Sequence, residues 1–222
     1  MRPVSYGTGS LRRKVMAAFV AFTLLPGISI AEEVTILALG DSLMAGYGLP
    51  DGQGMVPQMQ AWLDAQGEDA TLINAGVSGD TTQGGLARVE WSLTPEVDAM
   101  IVELGGNDLL RGTDPALTRK NLDQILSIAQ ARDLPVLLIG LPASSNYGPE
   151  YKAAFDAIYP ELAEKYGALV EPNIFAGLGA GDDPAAARKW MQPDGLHPNS
   201  EGVTRIVAAL GPSVRALIRR VD

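Results

Sequence analysis

From Val34 onward, short apolar runs alternate with longer amphipathic stretches. No other feature of the chain constrains its fold as much. A strand, a helix and a second strand close as a right-handed crossover, and repeated crossovers build a parallel sheet covered on both faces. The reading places strands at residues 34–39, 70–73, 99–104, 135–139 and 168–170. It places helices over 55–65, 81–93, 115–131, 151–166 and 201–219, the last with a break at Gly211-Pro212. Helical spacing of Met55, Met59, Trp62 and Leu63, and of Leu122, Ile125, Leu126 and Ala129, marks the faces that meet the sheet. There is no internal repeat and no linker, so residues 32–222 read as one α/β domain with a sizeable core.

The first 31 residues are different in kind. Arg12-Arg13-Lys14 precede an apolar run from Val15 to Leu25. Pro26-Gly27 breaks that run, and Ser29-Ile30-Ala31 offers small residues for cleavage. This is the pattern of a secretory signal peptide, cut after Ala31, and it implies a periplasmic or secreted protein. The competing reading is an uncleaved anchor, against which stand the short apolar run and its Pro and Gly. Arg12-Arg13 also leave open a paired-arginine export signal, which the residues around the pair support only weakly.

Charge and cysteine content exclude several function classes. The formal net charge is -9, and Arg2, Arg12, Arg13 and Lys14 all precede the cleavage point, leaving 13 basic against 26 acidic side chains. Such a surface repels phosphate backbones, so nucleic acid is not an expected partner. With no cysteine there are no disulfides, thiolate nucleophiles or thiolate metal sites. Asp182-Asp183 lacks companions for a metal site, and the loop 177–183 lacks calcium-loop spacing. No metal and no cofactor are expected.

The first strand, Ile36-Leu37-Ala38-Leu39, ends abruptly in Gly40-Asp41-Ser42-Leu43. Ligands of open α/β sheets bind just beyond such strand tips. Ser42 is therefore a candidate nucleophile, unless it merely caps the next helix. The chain holds one histidine, His197, three residues after Asp194 in Asp194-Gly195-Leu196-His197-Pro198-Asn199. One turn brings those two side chains together, so that the carboxylate fixes the tautomer and frees Nε2 as a base. Oxyanion donors are available at Gly76-Val77-Ser78-Gly79 after the second strand and at Gly105-Gly106-Asn107-Asp108 after the third. Asp41, Asp80 and Asp108 neighbour these groups. A glycosidase would use such carboxylates, but helix capping and loop bracing explain them better. Residue 44 is Met, so there is no Gly-x-Ser-x-Gly elbow, and phosphate-loop and Ser-x-x-Lys patterns are absent.

Taken together and in order, these blocks resemble the SGNH (GDSL) hydrolase superfamily. They look closest to the bacterial multifunctional esterases of the thioesterase I, arylesterase and lysophospholipase type. The shared phrases are Gly40-Asp41-Ser42-Leu43 with Ala45-Gly46-Tyr47, Asn74-Ala75 with Ser78-Gly79-Asp80-Thr81, Glu103-Leu104-Gly105-Gly106-Asn107-Asp108, Leu141-Pro142 with Asn146-Tyr147-Gly148, and Asp194-Gly195 with His197-Pro198-Asn199. The resemblance implies a three-layer α/β/α, flavodoxin-like sheet of five parallel strands. It implies Ser42 as nucleophile, His197 as general base and acid, and Asp194 as orienting carboxylate. It implies an oxyanion hole from the N–H groups of Ser42 and Gly79 and the side chain of Asn107. It also implies that Leu141 and Pro142 border the acyl groove, in a loop that Ala143-Ser144-Ser145-Asn146 lengthens slightly.

The function expected from these residues is hydrolysis of small acyl esters or thioesters, lysophospholipids among them, by a monomer. Two alternatives stay open on sequence alone: a carbohydrate O-acetyl esterase using the same residues, and a non-catalytic periplasmic binding module.

Overall fold

The computed structural model of the chain describes residues 1–4, 7, 33–179 and 187–221. The apolar run and cleavage point of the export-signal reading, and the pair Asp182-Asp183, lie outside the described residues.

Five parallel strands form one sheet in the order β2-β1-β3-β4-β5. They are β1 (Val34–Gly40), β2 (Ala70–Gly76), β3 (Ala99–Glu103), β4 (Val136–Ile139) and β5 (Leu169–Glu171). This is the flavodoxin-like order, flanked by helices as expected. The helices are α1 (Ser42–Ala45), α2 (Met55–Gln66), α3 (Thr82–Ser92), α4 (Gly106–Leu110), α5 (Pro115–Gln130), α6 (Pro149–Asp156), α7 (Ile158–Tyr166) and α8 (Ser200–Ile218).

The alternation of side chains along β1 divides the core. Ile36 and Ala38 face Met59 and Leu63 of α2 and Ile206 and Leu210 of α8. Leu37 and Leu39 face the opposite way, into a cluster with Val89 of α3, Leu122 and Ile125 of α5, and Ile158 of α7. Residues 36–40 of β1 are all buried, so the strand can be continuously apolar. Full burial of one Leu or Ile side chain is worth about 1.5–3 kcal/mol, so β1 gives Ser42 a firm support. β1 pairs with β2 on one edge and β3 on the other. The order in which strands are added reverses there, β2 lying to one side and β3 to β5 to the other, and the crevice beyond its tip is the usual ligand position.

Two helices depart from the sequence reading. The stretch 151–166 is two helices meeting at Ala157, because Pro160 has no N–H to give the Asp156 carbonyl. The last helix, by contrast, does not break at Gly211-Pro212. Pro212 and Ala208, whose carbonyl loses its partner, both lie on the exposed face, where water can replace the bond. The buried stripe Val203, Ile206, Val207, Leu210, Val214 and Leu217 runs through the proline and holds both halves to the sheet.

Candidate active site

The tip of β1 delivers Ser42 as the first residue of α1. Asp41 caps that turn, its carboxylate accepting the Leu43 N–H at 3.0 Å. Ser42 opens the helix, so its own N–H has no intrahelical partner. Gly76, at the tip of β2, makes this placement possible. A Cβ there would stand 2.2 Å from the Ala45 backbone nitrogen.

His197 arrives from the loop before α8. Its Nε2 is 2.8 Å from Ser42 Oγ, and its Nδ1 is 2.7 Å from Asp194 Oδ2. With a carboxylate on one side and a hydroxyl on the other, the proton belongs on Nδ1, leaving the Nε2 lone pair to accept from Ser42. Asp194 Oδ1 also accepts the N–H groups of Leu196 and His197, at 2.9 and 3.1 Å, a turn that fixes the carboxylate. The loop is stapled in place by Gln192. Its backbone N–H donates to the His197 carbonyl at 2.7 Å, and its side-chain amide donates to the Tyr47 carbonyl at 2.8 Å. The Tyr47 ring lies against the imidazole, with centroids 4.7 Å apart. Asn199 then caps α8, accepting the Gly202 N–H at 2.9 Å.

The loops after β2 and β3 are braced by the three neighbouring aspartates. Arg88 donates to Asp80 at 2.7 Å and to the carbonyls of Ala75 and Gly40 at 2.7 and 2.9 Å, tying together the tips of β1 and β2. Asp108 is buried and accepts from the Thr82 N–H and hydroxyl at 2.8 and 2.6 Å. Gly79 has φ +83°, a conformation glycine adopts without strain, and its carbonyl is turned onto Arg111 at 3.0 Å. Asn107 gives one side-chain N–H to Asp41 Oδ2 at 3.1 Å, and the amide has a second to offer.

The charges around this centre are tuned in opposite directions. The hydrogen bond from His197 holds Asp194 down to about 2, helped by the Leu196 N–H. Burial raises Asp41, against the lowering effect of the N–H of Leu43 and the amide of Asn107. Burial, and then the charge of Asp41, push Glu103 well above the usual carboxylate range. Among the described residues no group of three His, Cys, Asp or Glu is arranged to hold a metal ion.

The profile of the GDSL-like lipase/acylhydrolase family matches residues 38–205, a span that contains every group just described. The chain belongs to that family. It is 36% identical over 209 residues to Esterase TesA of Pseudomonas aeruginosa, covering 94% of this chain and all of the relative. It is 34% identical over 198 residues to Thioesterase 1/protease 1/lysophospholipase L1 of Escherichia coli, covering 89% of this chain and 91% of the relative. Among solved structures, the SGNH-hydrolase family esterase AlinE4 superposes with a TM-score of 0.68 at 44% identity, over 85% of this chain and 98% of that one. This GDSL-family chain is accordingly a hydrolase acting on ester bonds.

Within this GDSL-family frame, Leu141 and Pro142 do different things. Leu141 is half-buried and packs against both core clusters, while exposed Pro142 lines an open groove beside the histidine loop. Phe175, Leu178, Met191, Gln192 and Leu196 line the same groove. The sequence reading did not single these out, because they come from irregular chain between β5 and α8 with no period to betray a shared surface. Arg88 was missed too. One arginine on an amphipathic helix looks like a solvated charge until strand tips are placed beside it.

Proposed function

We propose that the enzyme cleaves small acyl esters and thioesters through an acyl-enzyme on Ser42. His197 takes the Ser42 proton as Oγ attacks the carbonyl carbon, while Asp194 stabilises the imidazolium that forms. The N–H groups of Ser42 and Gly79 and the free N–H of Asn107 receive the oxyanion. His197 then returns the proton to the departing alcohol or thiol. Water repeats the sequence on the acyl-enzyme, losing its proton to His197 and releasing the acid. The observation that carries this reading is the 2.8 Å contact between His197 Nε2 and Ser42 Oγ.

The apolar members of the groove, Phe175, Leu178 and Met191, favour acyl chains longer than acetyl, with aryl esters, acyl thioesters and lysophospholipids as the substrate classes. The arginine- and lysine-flanked apolar run before Ala31 supports export to the periplasm or beyond, with the mature enzyme acting as a monomer. Among the described residues no helix is long and apolar enough to cross a membrane. The test is hydrolysis of p-nitrophenyl esters of increasing chain length by the wild type and by Ser42→Ala. Activity rising beyond acetyl, and lost in folded Ser42→Ala, supports the reading. Preference for acetyl would move the assignment to a carbohydrate O-acetyl esterase. Full activity in Ser42→Ala would remove the nucleophile.

A further inference from the structure

Glu103 is the last residue of β3, opposite Gly40 in the β1 register, and is 1% exposed. Its Oε2 is buried with no hydrogen-bond partner among the described residues. A buried charged oxygen left without a donor is among the more destabilising features a core can hold. The group Glu103 does meet is Asp41, itself 3% exposed. The register sets Glu103 beside Asp41, and the two side-chain carboxyls lie within hydrogen-bonding reach of each other. Two carboxyls in contact in a dry site do not both ionise; one keeps a proton and donates it to the other.

The surroundings decide which one. Asp41 accepts the Leu43 N–H at 3.0 Å and the Asn107 amide at 3.1 Å, with the Ser42 hydroxyl more distant at 3.5 Å, and these donors favour its anionic form. The imidazolium that forms at His197 during attack adds a further charge favouring the anion at Asp41. Glu103 Oε2 has no donor among the described residues, and Tyr159 of α7 spends its hydroxyl on the Leu104 carbonyl at 3.0 Å. The orphaned oxygen is thus explained as a hydroxyl, not a carboxylate oxygen.

We propose that Glu103 is a neutral acid in the resting enzyme and a positioning residue, donating a hydrogen bond to Asp41 so that the Asp41 anion holds the Asn107 carboxamide with its second N–H free for the substrate oxygen. This rests on the oxyanion role given to Asn107 above. Loss of the Glu103 donor leaves Asp41 a buried carboxyl that takes up the proton itself. It then no longer dictates which end of the Asn107 amide it meets.

Infrared spectra of the intact protein in deuterated buffer at neutral pH test this without turnover. The wild type should show the C=O stretch of a neutral carboxylic acid, and Glu103→Gln should lack it. Glu103→Gln keeps a donor of the same shape and should retain kcat within about threefold. Glu103→Met fills the space without a donor and should lower kcat about 10- to 100-fold, part of what loss of one oxyanion donor costs, with KM within about twofold. A wild-type spectrum without that band overturns the proposal, as does wild-type kcat in Glu103→Met. So does a loss in Glu103→Gln as large as in Glu103→Met. If Glu103→Met does not fold, the spectra of the other two proteins decide. The band is independent of catalysis, so an active Ser42→Ala would remove the nucleophile reading and leave the acid band untouched.

Discussion

His197 Nε2 and Ser42 Oγ stand 2.8 Å apart across 155 positions of sequence. The contact is built twice over. Ser42 is fixed by the tip of a buried central strand, and His197 by a short loop pinned at both ends. Neither side needs to move for the proton transfer proposed above. Side-chain exposure is 18% at His197 and 36% at Asp194, so solvent touches the relay from the Asp194 side.

Asp194→Asn should therefore cripple turnover without unfolding the protein. An amide can offer its own N–H to Nδ1 and select the wrong tautomer. We expect kcat to fall about 10²- to 10⁴-fold with little change in KM. The stability change should stay within about 1 kcal/mol, because the carboxylate is partly solvated. Steady-state kinetics alongside thermal unfolding checks both. Because the carboxyl is held to about 2, below its ordinary value of 3.8, its favourable contribution is present above that ordinary value. It is lost only as pH falls toward 2.

Glu103→Gln should change the pH dependence of stability. The folded-state affinity of Glu103 for its proton is raised above the ordinary value of 4.5, chiefly by burial. Unfolding then releases a proton once pH exceeds that ordinary value. Stability contributed by the neutral acid is complete below it and is lost as pH rises toward the folded-state value. The slope is at most about 1.4 kcal/mol per pH unit. Glutamine has no proton to release. The Tm difference between Glu103→Gln and wild type should move in favour of the variant as pH is raised, and a difference flat in pH contradicts the burial argument.

Arg88→Lys should behave as a severe change. A lysine cannot reach Asp80 and the carbonyls of Ala75 and Gly40 at once, since it lacks the planar fork. The expected cost is about 2–3 kcal/mol in denaturant unfolding. Because the strand tips carrying Ser42 and Gly79 are what the guanidinium joins, kcat should fall in the surviving folded protein.

Gly76→Ala should be worse for activity than its size suggests. The added methyl meets backbone, the Ala45 nitrogen and the Met44 carbonyl carbon at 2.2 and 2.7 Å, and cannot be relieved by a side-chain rotation. α1 must shift, carrying Ser42 with it. A loss of about 1–3 kcal/mol in stability is expected, with a drop in kcat; wild-type kinetics in this variant would contradict the placement of α1 against β2.

Much of this arrangement is legible before any coordinates. Strand and helix alternation sets the sheet, because a fully covered central strand such as β1 has to be continuously apolar. Ser42 and His197 stand out because one sits at a strand tip and the other has no competitor in the chain. What stays hidden depends on register or on long-range packing. Glu103 and Asp41 look unrelated until β1 and β3 are aligned so that Gly40 faces Glu103. The continuity of α8 through Pro212 depends on which face the proline takes, and propensity alone argues for a break. The groove residues Phe175, Leu178 and Met191 lie in irregular chain, where side-chain period carries no information.

The central claim, that Ser42 is the group activated by His197, is tested most directly by mass spectrometry of the intact protein after treatment with a fluorophosphonate. The wild type should gain one phosphonyl group, mapped to the peptide containing Ser42. Labelling should slow at least tenfold in Asp194→Asn and vanish in Ser42→Ala, roughly the effect of losing the activated hydroxyl. Undiminished labelling of folded Ser42→Ala, or an adduct mapped to another residue, would contradict it.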